Sequence, residues 1–451
     1  MASASTSTFV HSSTLPGAGP SGAVDLRPRF FRGETPHATA PTIDALVKDG
    51  DQIDPIGLAT VLTLGTAIGG RTAIAGISAT EIDSTGFSLA HAPRDGELLS
   101  LVLDAIERRT PDDTLVCLLS GGRDSRLIAL GLRRLGARPE LALTLDQHGP
   151  HSDAAIACRL AEHLEIPIER VTPLPFDGAR EVGRHMKQSF QSLEHGWFVP
   201  IATQVRAMNV RVTDGIGAGV LSTGSLLGEE PIRLWNERRI DELCEWMVGH
   251  AGGASRRWID GARNAGIAIA SHDEVLHEFS RVMRGLEGQP NPLGMFSLLH
   301  WSRRGIASSA FGLLPEERVV APLYDLDLCR AIAAIPMERA IRRDWREIAL
   351  ESLDDSGIPF ATGEDNRVPR WMRNPLRTMR SKFAWQRFCS ELPEPLARLA
   401  ADADVEGGDR KSFNRAAIGL IAALDCTLDC RLGTSGRLCA GGSACGHARH
   451  G

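Results

Sequence analysis

The sequence predicts an α/β protein built on a doubly wound parallel sheet, with a mainly helical C-terminal part. Three observations carry this. Four short apolar runs, at 115–119, 141–145, 168–171 and 210–213, are separated by stretches of helical periodicity. Strands alternating with helices are what a parallel sheet requires, since each parallel pair needs a crossover, and the helices then cover both faces. Beyond about residue 230 the apolar spacing is helical, at 240–250, 274–283, 326–334 and 345–353.

Taken in order, residues 1–50 are rich in Ser, Thr, Gly and Pro and read as a disordered or weakly ordered leader. Gly17, Gly19 and Gly22 have GxGxxG spacing there, but no strand precedes them. Residues 51–97 read as a linker-like segment. Pro55, Leu58, Val61 and Leu62 mark a helix that runs into a glycine turn at 65–70. Leu99, Leu103 and Ile106 mark the next helix, and a domain is expected over 98–395. Residues 396–451 are a helical segment and a Cys- and Gly-rich tail.

Composition narrows the function classes. The chain has 451 residues, 43% hydrophobic and 24% charged, an ordinary globular balance. With 50 basic against 56 acidic residues the net charge is −6, so no global positive field exists to gather nucleic acid. The uncharged stretch 55–70 is broken by glycines and threonines and falls short of the roughly 20 apolar residues of a membrane span. Nine cysteines, an odd number without an export signal, point to reduced thiols and a cytoplasmic setting.

The most informative segment is Ser120, Gly121, Gly122, Arg123, Asp124, Ser125 and Arg126, between a strand and a helix. Two glycines let the backbone turn tightly and aim N–H groups at an anion, and the helix start adds its dipole. Ser120 and Ser125 add hydroxyl donors. A carboxylate beside such a nest would repel phosphate unless Mg²⁺ bridged the two, which makes Asp124 the candidate metal ligand. A glycine turn with a capping Asp and Ser would share part of this pattern. The lysine-bearing GxxxxGK[ST] loop is absent, which favours cleavage between the α and β phosphates.

SGGRDS resembles the SGGxDS signature of the PP-loop ATP pyrophosphatases, a group with an adenine nucleotide alpha hydrolase-like fold. Two further segments narrow the resemblance. VVAPLYDLDL at 319–328, followed by Ile335 and Pro336, is similar to the asparagine synthetase pattern. So is the stretch 54–77, with Leu58, Leu62, Gly65, Arg71, Thr72 and Gly76. The resemblance covers about residues 54–360. It implies an ATP-dependent amide-bond-forming ligase that activates a carboxylate as an acyl-adenylate, releasing pyrophosphate, for attack by an amine.

Carried over, Ser120, Gly121, Gly122, Asp124 and Ser125 would hold pyrophosphate and Mg²⁺. Leu118 matches a backbone contact to adenine, and Thr144 or Leu145 the other side of the adenine slot. Gly215, Gly217 and Ala218 match the family's second glycine loop, but its carboxylate positions fall on Ile216, Gly219 and Val220; Asp214 or Glu229 would have to substitute as metal ligand. Arg342 and Arg346 match a basic pair that meets pyrophosphate, with Arg342 preferred. The glutamine-hydrolysing members carry an N-terminal cysteine nucleophile; here the first cysteine is Cys117, on a core strand, so hydrolysis of glutamine in cis is not expected. The amine would come from free ammonia, a separate amine-donating or substrate-delivering protein, or the substrate itself, a small-molecule or peptide carboxylate. A catalytically degenerate nucleotide-binding scaffold and a tRNA-modifying PP-loop enzyme are the alternative readings.

Weaker signals complete the reading. Cys426, Cys430, Cys439 and Cys445, with His447 and His450, have spacings unlike paired zinc motifs. Residues 366–388 are basic, with Trp371, Phe383, Trp385 and Phe388 interleaved, and read as a basic helix covering the acidic remainder or as a partner surface. His148 and His151 read as exposed loop residues.

Overall fold

The computed structural model describes residues 27–33, 38–82, 84–87, 91–110, 115–146, 152–217, 219, 227–251, 253–361, 375–403 and 409–428. In chain order these include β1 (Phe30–Arg32), α1 (Pro55–Leu64), β2 (Ile77–Ala79), α2 (Asp95–Arg109), β3 (Leu115–Leu118), α3 (Arg123–Arg134), β4 (Leu141–Leu145), α4 (Asp153–His163), β5 (Ile168–Val171), α5 (Gly178–Lys187), α6 (Val199–Met208), β6 (Arg211–Thr213) and β7 (Val319–Val320). β3 to β7 form a parallel sheet in the order β5-β4-β3-β6-β7. The protein is therefore α/β with a five-stranded, all-parallel sheet, an arrangement compatible with double winding.

Side-chain alternation explains why both faces of this sheet are covered. Leu115, Cys117 and Leu119 join a core with Leu127 and Leu130 of α3 and Leu160 of α4. Val116 and Leu118, pointing the other way, join a second core with Phe198, Ile201 and Val205 around α6. The strand sequence is accordingly a continuous apolar run. Chain direction reverses its march across the sheet at β3: β4 and β5 follow on one side, β6 and β7 on the other. The C-terminal ends of β3 and β6 thus flank a topological switch point, where side-by-side loops diverge and leave a crevice.

The expected leader and domain limits need correction. Residues 1–26 lie outside the described set, with Gly17, Gly19 and Gly22 among them. The following stretch, however, is integrated into the fold: β1 pairs antiparallel with β2, and Phe30 and Ile43 are 1% and 0% exposed. The linker-like segment is equally built in. Asp54 caps α1 through the amides of Ile56 and Gly57, and Gly65 ends it with φ 74°. Arg304, on the π-helical stretch Ser297–Ala307, is buried and donates to the carbonyl of Arg71 and to Gln191 Oε1, both at 2.6 Å.

Nor does a boundary fall at 395/396. Trp385, Phe388 and Leu392 share one core with Leu396, Leu399 and Leu420, and with Phe30, Leu58 and Ile77. Apolar residues from both ends of the chain complete each other, so neither end is a separate layer. The interleaved aromatics Trp385 and Phe388 are core residues stacked near Phe176, with Trp385 5.3 Å away between ring centres, whereas Phe383 is exposed. Trp371 lies outside the described residues. Among the described residues no helix is long and apolar enough to cross a membrane.

Candidate functional site

The loop after β3 is organised by its own hydroxyls. The Ser120 amide donates to Ser125 Oγ at 3.0 Å, the two hydroxyls are 3.0 Å apart, and the Gly122 amide donates to Ser120 Oγ at 3.1 Å. These contacts curl the loop onto the first turn of α3, whose residues Arg123, Asp124 and Ser125 line the crevice. Gly121 is needed for packing: a Cβ there would sit 2.7 Å from Ala361 Cβ and 2.9 Å from an Asp153 carboxylate oxygen. Its carbonyl accepts from the Ala361 amide at 2.9 Å. Arg126, wholly buried, fastens the same segment by donating to Asp354 at 2.8 Å and to the carbonyls of Ile358 and Pro359 at 2.5 and 3.0 Å. The 354–361 segment is thereby strapped across the loop.

A cleft of about 520 Å³ opens at this point, lined by Leu118, Ser120, Gly122, Asp124, Ser125, Thr144, Leu145, Asp214 and Arg346, among others. The structure thus brings together, from β3, β4 and β6, most of the residues the sequence singled out. Gly121, Gly215 and Gly217 stand behind the lining. A Cβ on Gly215 would meet the Asp124 carbonyl oxygen at 2.4 Å, so glycine there lets the second loop touch the first. Gly217 has φ 89° and packs against Tyr324, a position that a side chain would neither fit nor favour. Ala218 and Val220 lie outside the described residues.

Of the three carboxylates that line the cleft among the described residues, Asp124, Asp153 and Asp214, the first and last have different surroundings. Asp124 accepts from Arg346 Nη1 at 2.5 Å and from the Gly219 amide at 3.3 Å. Asp214, 8% exposed, accepts from the Ile216 amide at 3.1 Å, and burial, reinforced by the charge of Asp124 and opposed by that hydrogen bond, pushes its carboxyl up to about 7. Glu229, the other substitute, is exposed at the start of the helix Glu229–Asn236 and does not line the cleft.

Of the two arginines, Arg346 is the one placed at the cleft. Arg342 is exposed in the turn before the helix Trp345–Glu351 and does not line the cleft, whereas Arg346 does. Asp344 sets this register: it caps the helix through the Arg346 amide at 2.9 Å and holds the guanidinium Nε at 3.0 Å. Arg346 also fills the space beside Gly219, where a Cβ would lie 2.3 Å from its Nη1. A larger residue at 219 would have to displace the arginine from Asp124.

Other residues of the cleft escaped the sequence reading. Asp153 begins α4 and lines the floor, while His195, Trp197 and Phe198 form a wall. Asp153 carried a signal, since Ser152 before it is a helix cap; the histidine sits in no recognisable motif. Cys117 is buried, with its thiol pushed well above the ordinary range by burial and by Asp214. His148, His151, Cys430, Cys439, Cys445, His447 and His450 fall outside the described residues, and Cys426 is half-buried with no second described cysteine bonded to it. Among the described residues no group of three His, Cys, Asp or Glu side chains is placed to hold a metal by itself.

No protein-family model matches the chain, and no curated protein matches it by sequence.

Proposed function

We propose that the protein is an ATP-dependent carboxylate–amine ligase of asparagine synthetase type, with a PP-loop fold, that forms an acyl-adenylate and passes it to ammonia or another amine. The observation that carries this reading is the SGGRDS loop at the end of β3, turned toward the cleft and facing Asp214 from β6 across the switch point. The hydroxyls and amides there suit a pyrophosphate, and the apolar Leu118, Leu143 and Leu145 suit the flat face of adenine.

Mg²⁺ fits the donor set as a partner of ATP. This ion is commonly held by one or two carboxylates, with phosphate oxygens and water completing its shell. Asp124 and Asp214 would be those two, and the bound ion would offset the charge of the leaving pyrophosphate. Arg346 would orient phosphate with its fork of donors. Holding carboxylate and α-phosphate in line would lower the remaining barrier.

One observation favours the degenerate scaffold as the second reading: Asp124 is paired with Arg346. Thermal stability with ATP and Mg²⁺, in wild type and Asp124→Asn, separates them. At about 100 times the Kd a ligand stabilises by roughly 2.7 kcal/mol. The ligase reading expects a Mg²⁺-dependent rise that the substitution removes, and AMP with pyrophosphate once a carboxylate is supplied. ATP binding that ignores both Mg²⁺ and the substitution would leave the scaffold.

A further inference from the structure

His195 lies outside the nucleotide machinery, yet it lines the phosphate-loop cleft and also a second cleft of about 690 Å³. His195 and Trp197 form the wall common to both. The second cleft has a mixed lining: Leu174 and Trp197, 44% and 46% exposed, stand with Pro173 and Val199, and Asp177, Arg180, Glu181, Arg184, Glu194 and Arg415 line it too. A cleft of this size admits a whole organic molecule, where ammonia would need none.

The imidazole is held in one tautomer by its neighbours. Nδ1 lies 2.8 Å from Ser309 Oγ, and the same hydroxyl lies 3.1 Å from the Ile306 carbonyl. A carbonyl only accepts, so the single hydroxyl hydrogen goes to Ile306, and Ser309 Oγ accepts from Nδ1–H. Nε2 therefore carries the lone pair, and no described residue bonds to it. Burial pushes the Glu194 carboxyl, 3.8 Å from Nδ1, up to about 7.

The surroundings fix this geometry. Arg184 donates to the Glu194 carbonyl at 2.9 Å and to Gln188 Oε1 at 2.8 Å, and Gln188 Nε2 donates to the Ser309 carbonyl at 2.7 Å. The backbone of His195 is left-handed, φ 62° and ψ 25°, a conformation that histidine adopts more readily than most residues with a side chain. Burial and the charge of Arg184 hold the imidazole below its ordinary value, so it is neutral at pH 7.

We infer that His195 is the base for the amine step and that the second cleft delivers an apolar primary amine to it; this rests on the ligase reading above. The amine nitrogen attacks the acyl-adenylate carbonyl, the C–N bond forms, and the C–O bond to AMP breaks with its electron pair leaving on the phosphate oxygen. The nitrogen's proton passes to His195 Nε2. Ser309 is a positioning residue, acting through the tautomer it sets.

The test uses the full chain with ATP and Mg²⁺, and scores activation of each proteinogenic amino acid, free and N-acetylated, by pyrophosphate exchange into ATP. Phenethylamine and ammonium are then offered as acceptors. His195→Asn is the informative variant, because asparagine tolerates left-handed backbone and keeps an N–H toward Ser309 while removing Nε2. It is expected to cut phenethylamide formation by about 100-fold or more, the usual worth of a general base, beyond any loss of exchange. Leu174→Arg should lower the preference for phenethylamine over ammonia. Amide formation at the wild-type rate in His195→Asn, or exchange and amide lost in equal measure, would overturn the inference alone. No exchange with any carboxylate in the wild type would overturn the ligase reading, and this inference with it.

Discussion

Asp214 couples the site to pH, and the size of the coupling follows from its burial. In the native state the carboxyl keeps its proton up to about pH 7, while the unfolded chain releases it near the ordinary value of 3.8. Between those values the native state binds more protons, so raising the pH lowers stability, and the loss is complete once the pH passes the native value. About three units at 1.36 kcal/mol each give roughly 4 kcal/mol. Asp214→Asn keeps the acceptor for the Ile216 amide and carries no such dependence. Urea denaturation of both proteins should therefore show the variant gaining on wild type by up to about 4 kcal/mol between about pH 4 and about pH 8. Parallel profiles, differing by a constant, would refute the assignment of a buried neutral carboxyl. Because Mg²⁺ favours the ionised form, binding of Mg²⁺ with ATP below pH 7 should also release a proton in wild type.

Gly215→Ala places a Cβ against the Asp124 backbone and should cost about 1–3 kcal/mol as the two loops separate, with ATP-dependent stabilisation lost; thermal denaturation with and without nucleotide reads both. Arg346→Ala should weaken the binding of ATP with Mg²⁺ by at least about tenfold, an order suited to losing one charge-assisted phosphate contact, while Arg342→Ala changes it little; calorimetric titration of the two variants decides between them. Arg126→Met leaves the Asp354 carboxylate and two carbonyls without their donor and should cost about 3–5 kcal/mol in urea denaturation, since the guanidinium is wholly buried.

The parts of this fold legible in the sequence are those with local periodicity. β4 and β5 fall on the expected runs, and helices separate the strands as expected. β7, a two-residue strand, was legible only as part of a longer pattern. The N-terminal segment was not legible, because Phe30 and Ile43 are isolated apolar residues whose burial is supplied by β2 and the C-terminal helices far along the chain. The site divides in the same way. Ser120, Asp124 and Ser125 sit in one contiguous string, while Arg346 reaches Asp124 from 222 residues away. Asp344 was the available signal: an acidic cap directly before Trp345 starts the helix there and leaves Arg342 outside it. His195 gave none, since its role depends on Ser309, 114 residues distant.

The ion pair between Arg346 and Asp124 bears on how a nucleotide would enter. Left alone, Asp124 would present an unpaired carboxylate in the cleft, next to the buried Asp214. Arg346 removes that cost, and Asp344 keeps the guanidinium in place through two contacts of 3.0 Å. Under the proposed ligase reading, Mg²⁺ and pyrophosphate would offer each group a new partner of the right sign: the cation for Asp124, the phosphate for Arg346. The charges would then exchange partners without any one of them being left unpaired. Gly219 is part of the same arrangement, since the space beside it is the space the arginine uses. On this reading the missing side chain at 219 and the arginine at 346 are one substitution in two places. Gly219→Asp should then displace Arg346 from its ion pair with Asp124, and a double-mutant cycle with Arg346→Ala, read by thermal stability with and without Mg²⁺ and ATP, would give additive effects only if the two positions were independent.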